Sequence, residues 1–462
     1  MEQTCVITRE EDLHTYFDAG SRARENWGVG VEYERFGVFR DSGRPLPYSG
    51  PVSVEAMLRE LVESRGWAPV EEDGHLIAVS RRGTRLTLEP GAQVELSGGV
   101  HASIAAVRTE LAEFLREFET LSGAAGIAWL GVGLHPMAAL DEIPWIPKKR
   151  YAIMRDYLPG RGRRAHIMMK QTASIQINLD YSSEADAVDK LRTAMGLSPL
   201  VTALFANSPL LEGRPNGMMS YRGWAWRDTD PDRCGLLPFF FRDGFGFGDY
   251  LAYALDVPMF FVVRDGDWKA AGGMTFRKFI RRGFDKRPPT IADFELHLST
   301  LFPEVRLKRY IEMRGADSAD PASALALATL WKGILYDGAS RREAWELVRD
   351  MTFRRRLKLL DEICRQGPAA RIIPGGARYS GAPKSGVQVL EVLADLVRLA
   401  RQGLNNQGVP EEGALLDRLD RLIAEEGGCP AHALLARWEE ADGGNPARLI
   451  EYLSRNTLNE IG

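Results

Sequence analysis

Between residues 172 and 181 polar and apolar side chains alternate without a break. Thr172, Ser174, Gln176, Asn178 and Asp180 fall on one side, and Ala173, Ile175, Ile177, Leu179 and Tyr181 on the other. A period of two belongs to a strand, and here the apolar side demands burial. A solvated sheet face usually carries long charged side chains, so a row of compact hydrogen-bonding groups predicts the wall of a polar cavity. Two more segments repeat the device. Val31-Glu32-Tyr33-Glu34-Arg35 sends two carboxylates to one face, and residues 305–314, read as one strand, send Arg306, Lys308, Tyr310, Glu312 and Arg314 to one face. A sheet with such a face is built to hold something highly charged.

A chain of 462 residues can bury a sizeable core, and its length permits two or three domains. The net charge of -4, from 59 basic and 63 acidic residues, argues against a general nucleic-acid footprint. Any polyanion must then bind locally. Residues 1–11 lack an apolar core of signal-peptide length, and nowhere do 18 uncharged apolar residues run together. The expectation is a cytoplasmic protein without membrane or nucleic-acid partners, a monomer or homodimer. Cys5, Cys234, Cys364 and Cys429 form no Cys-x-x-Cys pair, so buried reduced thiols are expected, not a zinc ribbon or a disulfide framework.

Along the chain the patterns predict a strand at 27–39 and a helix at 53–65 stopped by Gly66. A hairpin of 75–80 with 85–89 follows, then a strand at 93–97, a helix at 102–121 and a strand at 127–133. Ser183 with Asp186 resembles a capping pair opening a helix through Phe205. Strands at 259–264 and 305–314 are expected to complete the sheet. Beyond Pro321 helical patterns dominate, at 322–336, 341–366, 385–402 and 414–426. The fold class is α+β, with residues 1–320 as a sheet-and-helix core and 321–462 as a helical part that packs around the sheet or forms a separate lobe.

Five glutamates stand out in or beside apolar strands: Glu32, Glu34, Glu89, Glu95 and Glu312. Burying even one unpaired carboxylate costs several kcal/mol, so a cluster needs cations. Mg²⁺, with Mn²⁺ as the alternative, suits such oxygen ligands and usually also takes substrate phosphates. Against this, an isolated Glu-x-Glu most often forms a solvated strand face. His135 and His166 lack the spacing of zinc ligands. The run from Gly244 to Gly248 has no lysine to make it a phosphate cradle, so its aromatics should pack. The basic loop Arg161-Gly162-Arg163-Arg164 could clasp phosphates as a mobile lid, although a solvated charge run is the commoner outcome.

Read together, these segments resemble the plant and proteobacterial type of glutamate–cysteine ligase. The resemblance is carried by Gly30-Val31-Glu32-Tyr33-Glu34-Arg35-Phe36-Gly37, by residues 88–98, by Arg150-Tyr151 through Pro159, and by residues 176–180, 203–209, 253–259 and 302–317. It runs from about Trp27 to Asp337 and weakens beyond. It implies a glutamine-synthetase-like fold, a curved and mainly antiparallel sheet whose concave face binds ATP, divalent metal and glutamate. It further implies Glu32, Glu34, Glu89, Glu95, Gln176 and Glu312 as the metal shell, and Asn178 and Arg314 facing the nucleotide phosphates. Arg222 with Trp226 would hold a substrate carboxylate, and Thr172 would stand on the substrate side. Glu312 and Arg314 are the catalytic candidates. The implied reaction joins L-glutamate to L-cysteine through γ-glutamyl phosphate, with ATP as co-substrate.

The residues ask for this sort of chemistry independently. A γ-carboxylate is a poor electrophile until phosphorylated, and bringing it to a triphosphate opposes like charges that cations must offset. Two departures from the family pattern, Gln171 before the threonine and Gly223-Trp224-Ala225 after Arg222, are expected near the substrate pocket. They leave open a different amine acceptor. A non-catalytic metal- or nucleotide-binding homologue is the remaining alternative. The redox-switch cysteines of plant relatives have no counterpart in residues 322–331.

Overall fold

The computed structural model describes residues 4–123, 125–440 and 445–458. The first three and last four residues of the two expected regions, like 124 and 441–444, lie outside the described residues. The alternating segments assemble into one nine-stranded sheet. Its strands are β1 (Val29–Phe39), β2 (Ala68–Glu72), β3 (His75–Arg81), β4 (Thr84–Leu88), β5 (Val94–Ser97), β6 (Ile127–Leu130), β7 (Ser174–Leu179), β8 (Val305–Leu307) and β9 (Ile311–Asp317). They run β8-β9-β7-β1-β5-β4-β3-β2, with β6 paired to the far end of β1. These pairings are antiparallel.

Alternation decides which face is buried. Val31, Tyr33, Ile175, Ile177, Leu179 and Met313 turn to one side and are almost fully shielded. The helix Pro321–Leu335, buried along its whole length, packs against β1 and β7 there. Asp320 caps it, accepting from Ser323 N at 3.1 Å. The Tyr33 hydroxyl donates to Ala319 O at 2.7 Å and the Ser318 hydroxyl to Glu34 O at 2.6 Å, so the chain leading into this helix is pinned to β1. The helix Val389–Asn406 covers it in turn, and the two backbones nearly touch: a Cβ on Gly403 would lie 1.8 Å from Gly333 O. Only glycine fits that crossing.

Local chemistry sets the helix ends as expected. Ser53 accepts from Ala56 N, Gly66 takes a φ of 70°, and Ser183 accepts from Asp186 N.

Other expectations change. Thr172 is not in the strand but caps the short helix Ala165–Gln171, its hydroxyl donating to Met168 O at 2.6 Å. Residues 305–314 are not one strand: the chain reverses at Lys308–Tyr310, so Arg306 and Glu312 become cross-strand partners on β8 and β9. Phe261–Arg264 stays out of the main sheet and pairs only with Asp267–Ala270. Asp265-Gly266 between them has positive φ at both residues, the signature of a two-residue hairpin turn. The helix expected over 341–366 is two, Gly338–Glu346 and Phe353–Gln366, the second restarted by its Thr352 cap. Cys364 and Cys429 are buried, but Cys5 is exposed and Cys234 only partly covered, against the expectation of four buried thiols. No helix among the described residues is long and apolar enough to cross a membrane.

Candidate active site

On the other face of the sheet the register brings the acidic residues together. Glu32 stands opposite Gln176 on β7 and Ser97 on β5, and Glu34 stands opposite Glu95. Glu95 in turn faces Thr87 on β4. Like charges directly opposite one another destabilise a sheet, and hydroxyl and amide donors only partly offset that here. Glu34 accepts from Ser174 N at 2.7 Å, Ser174 Oγ at 3.0 Å and Gln176 Nε2 at 3.2 Å. Glu95 accepts from Thr87 Oγ1 at 3.0 Å and Ser97 Oγ at 2.5 Å. Glu89 accepts from the Tyr151 hydroxyl at 3.1 Å. Burial, together with Glu95 and Glu89, pushes Glu34 up to about 8. Burial, Glu312 and Glu95 push Glu32 up to about 7, and burial with Glu89 raises Glu95.

A few ångströms along β9 the balance is reversed. Glu312, with no exposed surface, is gripped by Arg306 through Nη2 at 2.6 Å and by Lys308 at 2.7 Å, and Arg314 bonds the same carboxylate. Burial opposes its ionisation, but Arg306, Lys308 and Arg314 hold it well below the usual carboxylate range. A bulge in β9 between Met313 and Ala316 lies at Arg314, whose guanidinium reaches both Glu312 and Gln176 Oε1. Bulges re-aim side chains in this way. Arg306 also donates to Ser299 O at 2.9 Å and Leu301 O at 2.8 Å, so its direction is fixed.

Both poles open into one cavity of about 400 Å³. Glu32, Glu34, Glu89, Glu95, Gln176, Thr172, Arg222, Trp226 and Arg314 line it. Glu312 lies beneath its cations and Asn178 beside the wall, where its Nδ2 donates to Glu32 Oε1 at 3.0 Å. Arg222 enters from the short helix Tyr221–Trp226, capped by Ser220, and donates to Arg314 O at 2.9 Å while standing 3.8 Å from Asp317. Arg85, Lys148, Arg150, Arg306 and Lys308 also line the cavity and had been given no role. The alternation had already put Arg306 and Lys308 on this face, and only the hairpin between them was hidden.

As a preformed metal shell the predicted six do not hold together. Among the described residues no three His, Cys, Asp or Glu gather at metal-binding spacing, and the oxygens of Glu312 and Gln176 are taken by Arg314. What remains fits a hard divalent cation. The donors are oxygens, Glu34 and Glu95 oppose each other with no ion pair to either among the described residues, and the buried Asn178 Oδ1 has no hydrogen-bond partner.

Several other features resolve into structure. Arg161, Arg163 and Arg164 are tied to Asp228, Asp230 and Asp232, so this loop is anchored and is no free lid. The His135 ring accepts from Ala138 N, and burial pushes it down to about 3. Phe245 packs on Phe240 and Phe247 on Phe17. Neither departure from the family pattern lines the cavity. Gln171 turns away and donates to Ala138 O at 2.9 Å, and Trp224 lies under the Arg164 guanidinium, 3.0 Å from ring centre to Cζ.

A profile of glutamate-cysteine ligase family 2 matches residues 28–451. The chain belongs to the glutamate–cysteine ligase family. It is 39% identical over 429 residues to the chloroplastic glutamate–cysteine ligase of Nicotiana tabacum, covering 92% of this chain and 79% of that one. It is likewise 39% identical over 442 residues to the chloroplastic glutamate–cysteine ligase B of Oryza sativa subsp. japonica, covering 95% and 86%. The crystal structure of the glutamate–cysteine ligase of Francisella tularensis with AMP superposes with a TM-score of 0.54 at 12% identity, over 94% of this chain and 89% of that one. The large antiparallel sheet followed by C-terminal helices is a fold shared with that structure. The match extends to residue 451, well beyond Asp337, where the motif resemblance weakens. The expectation of a cytoplasmic protein is corrected: the Nicotiana tabacum and Oryza sativa relatives are chloroplastic enzymes, so this kinship gives the cytoplasm no support.

Proposed function

We propose that this ligase joins the γ-carboxylate of L-glutamate to the amine of L-cysteine at the expense of ATP, giving γ-glutamylcysteine, the first step of glutathione biosynthesis. The observation that carries the reading is the pairing of two poles in one cavity: the carboxylates Glu32, Glu34, Glu89 and Glu95, which make no ion pair with the described residues, and the cations Arg306, Lys308 and Arg314 around Glu312.

A ligase of this kind must assemble two anions, the substrate carboxylate and the triphosphate. Glu34 and Glu95, opposite each other with Glu32 and Glu89 beside them, would hold Mg²⁺ together with the substrate phosphates, and when bound it neutralises charge between the carboxylates and the phosphates. Arg314, with its fork of donors, faces the phosphates alongside Asn178, and Glu312 keeps Arg314, Arg306 and Lys308 pointed into the cavity. Arg222 and Trp226 hold the substrate's amino-acid end, and Thr172 lines the same side. A γ-carboxylate oxygen attacks the terminal phosphorus and ADP leaves. The amine nitrogen then attacks the acyl carbon, inorganic phosphate departs with the bonding pair, and the proton shed by the nitrogen passes to that phosphate. The protein's part is positioning and electrostatic stabilisation. Residues 1–320 would carry this chemistry and 321–462 would buttress the back of the sheet.

The test is an acceptor screen. Glutamate, ATP and Mg²⁺ are supplied with each amine in turn, and the product is identified by mass. γ-Glutamylcysteine with stoichiometric ADP is the expected result. ATP turnover with another amine but not cysteine would overturn the acceptor, and no glutamate-dependent turnover at all would overturn the ligase.

A further inference from the structure

A second cavity, of about 320 Å³, shares no residue with the first. It lies among the last helices, and four guanidiniums, of Arg418, Arg421, Arg437 and Arg455, reach its wall together with the carboxylates of Asp320 and Glu426. Both carboxylates are already engaged. Arg418 bonds Glu426 at 2.6 Å and Asp320 at 3.2 Å, and Asp320 also accepts from Thr457 Oγ1 at 2.7 Å. Arg421, Arg437 and Arg455 make no ion pair with the described residues.

Their convergence is built, not incidental. The three come from different segments, Arg421 from the helix Asp417–Glu425, Arg437 from Pro430–Glu440, and Arg455 from the stretch after Pro446–Leu453. The Arg437 guanidinium lies 4.3 Å and the Arg455 guanidinium 4.4 Å from the centre of the Tyr452 ring, and Arg455 Nε also donates to Tyr452 O at 3.3 Å. Stacking on an aromatic face fixes the planes of both forks while leaving most of their donors unused. Arg437 and Arg455 are exposed and Arg421 is half-buried, so solvent screens part of their mutual repulsion, and a counter-anion lowers what remains. The volume is at the lower end of small-molecule sites, which span roughly 300–1,000 Å³.

We propose that this cavity is a second ligand site, for a small multivalent oxyanion gripped by Arg421, Arg437 and Arg455. A phosphorylated metabolite and a polycarboxylate share that chemistry, and the probes separate them.

The full-length protein, free of nucleotide and Mg²⁺, is titrated calorimetrically with inorganic pyrophosphate and separately with citrate. At least one probe should bind. The Arg421→Gln/Arg455→Gln variant should weaken that binding by about tenfold or more, the loss expected when bidentate forks are removed, while Arg314→Gln in the first cavity should leave it unchanged. Tighter pyrophosphate identifies a phosphate ligand and tighter citrate a carboxylate one. The variant should melt like the wild type without anion. If it does not fold, Arg437→Lys, which keeps the charge and loses the fork, should show the same weakening. Binding lost in Arg314→Gln but kept in the double variant, or no binding of either probe at tens of millimolar, would overturn the proposal.

Discussion

Glu34 and Glu95 face each other across β1 and β5, both buried, with hydroxyl and amide donors around them and no ion pair to either among the described residues. An arrangement that repels itself should be most stable when protonated. The ordinary carboxylate value of 4.5 is raised to about 8 for Glu34 and about 7 for Glu32. In that window the folded protein holds more protons than the unfolded chain, so the stability present below pH 4.5 is lost as pH rises towards 8. The metal-free protein should therefore melt progressively lower from pH 5 to pH 8. Glu34→Gln should flatten the slope, and Mg²⁺ should raise the melting temperature more at pH 8 than at pH 5. Differential scanning calorimetry across this range checks it, and equal slopes for wild type and variant would show that the pair is not uncompensated.

Glu312 should behave in the opposite way. Its carboxylate joins Arg306, Lys308 and Arg314, and removing one partner of a buried ion cluster strands the others, which typically costs about 3–5 kcal/mol. Glu312→Gln should lower both stability and turnover, the latter by about 100-fold, the order lost with a pre-organised electrostatic element. Glu34→Gln should cost turnover without lowering stability. Melting curves and steady-state rates on both variants decide it, and unchanged melting in Glu312→Gln would mean that the three cations do not depend on this carboxylate.

Arg222 bonds Arg314 O while keeping Asp317 within ionic reach, a division of labour that needs a planar fork. Arg222→Lys keeps the charge but not both contacts. The expected outcome is a KM for glutamate raised by about tenfold or more, as for loss of a charge-assisted bidentate contact, with nucleotide affinity nearly unchanged. Initial-rate kinetics varying each substrate separate the two. A lost ATP site with an unchanged glutamate KM would place Arg222 on the wrong substrate.

What the sequence revealed and what it hid follow from range. The alternation in β1 and β7 needs only neighbouring residues, so Glu32, Glu34, Gln176 and Asn178 could be placed on one face directly. The β8–β9 turn was hidden because Arg306, Lys308, Tyr310, Glu312 and Arg314 keep period two straight through it, so the pattern looks continuous while the chain reverses. Arg85 and Lys148 were missed for a different reason. Each reaches the cavity only because β4 pairs with β5 and the segment after Ile146 reaches Leu88 at the end of β4, and no local spacing reports that. The tethering of Arg161, Arg163 and Arg164 to residues 228–232 is likewise a contact across more than sixty positions.

The acceptor prediction turns on Gln171 and Trp224. Both break the family pattern, yet Gln171 is spent on Ala138 O and Trp224 on the Arg164 guanidinium, and neither side chain lines the cavity. Restoring the family-like residues, as Gln171→Arg or Trp224→His, should therefore leave the ranking of acceptors unchanged. Cysteine should lead 2-aminobutyrate and serine by only a modest margin, since a thiol against a methyl or hydroxyl of similar size is worth roughly 1–3 kcal/mol in such a pocket. Competition assays with paired amines, scored by the mass of the γ-glutamyl product, give that ratio directly. If either substitution reverses the order, the residue acts on the acceptor through a rearranged pocket, and the wall seen here is not the one the amine meets.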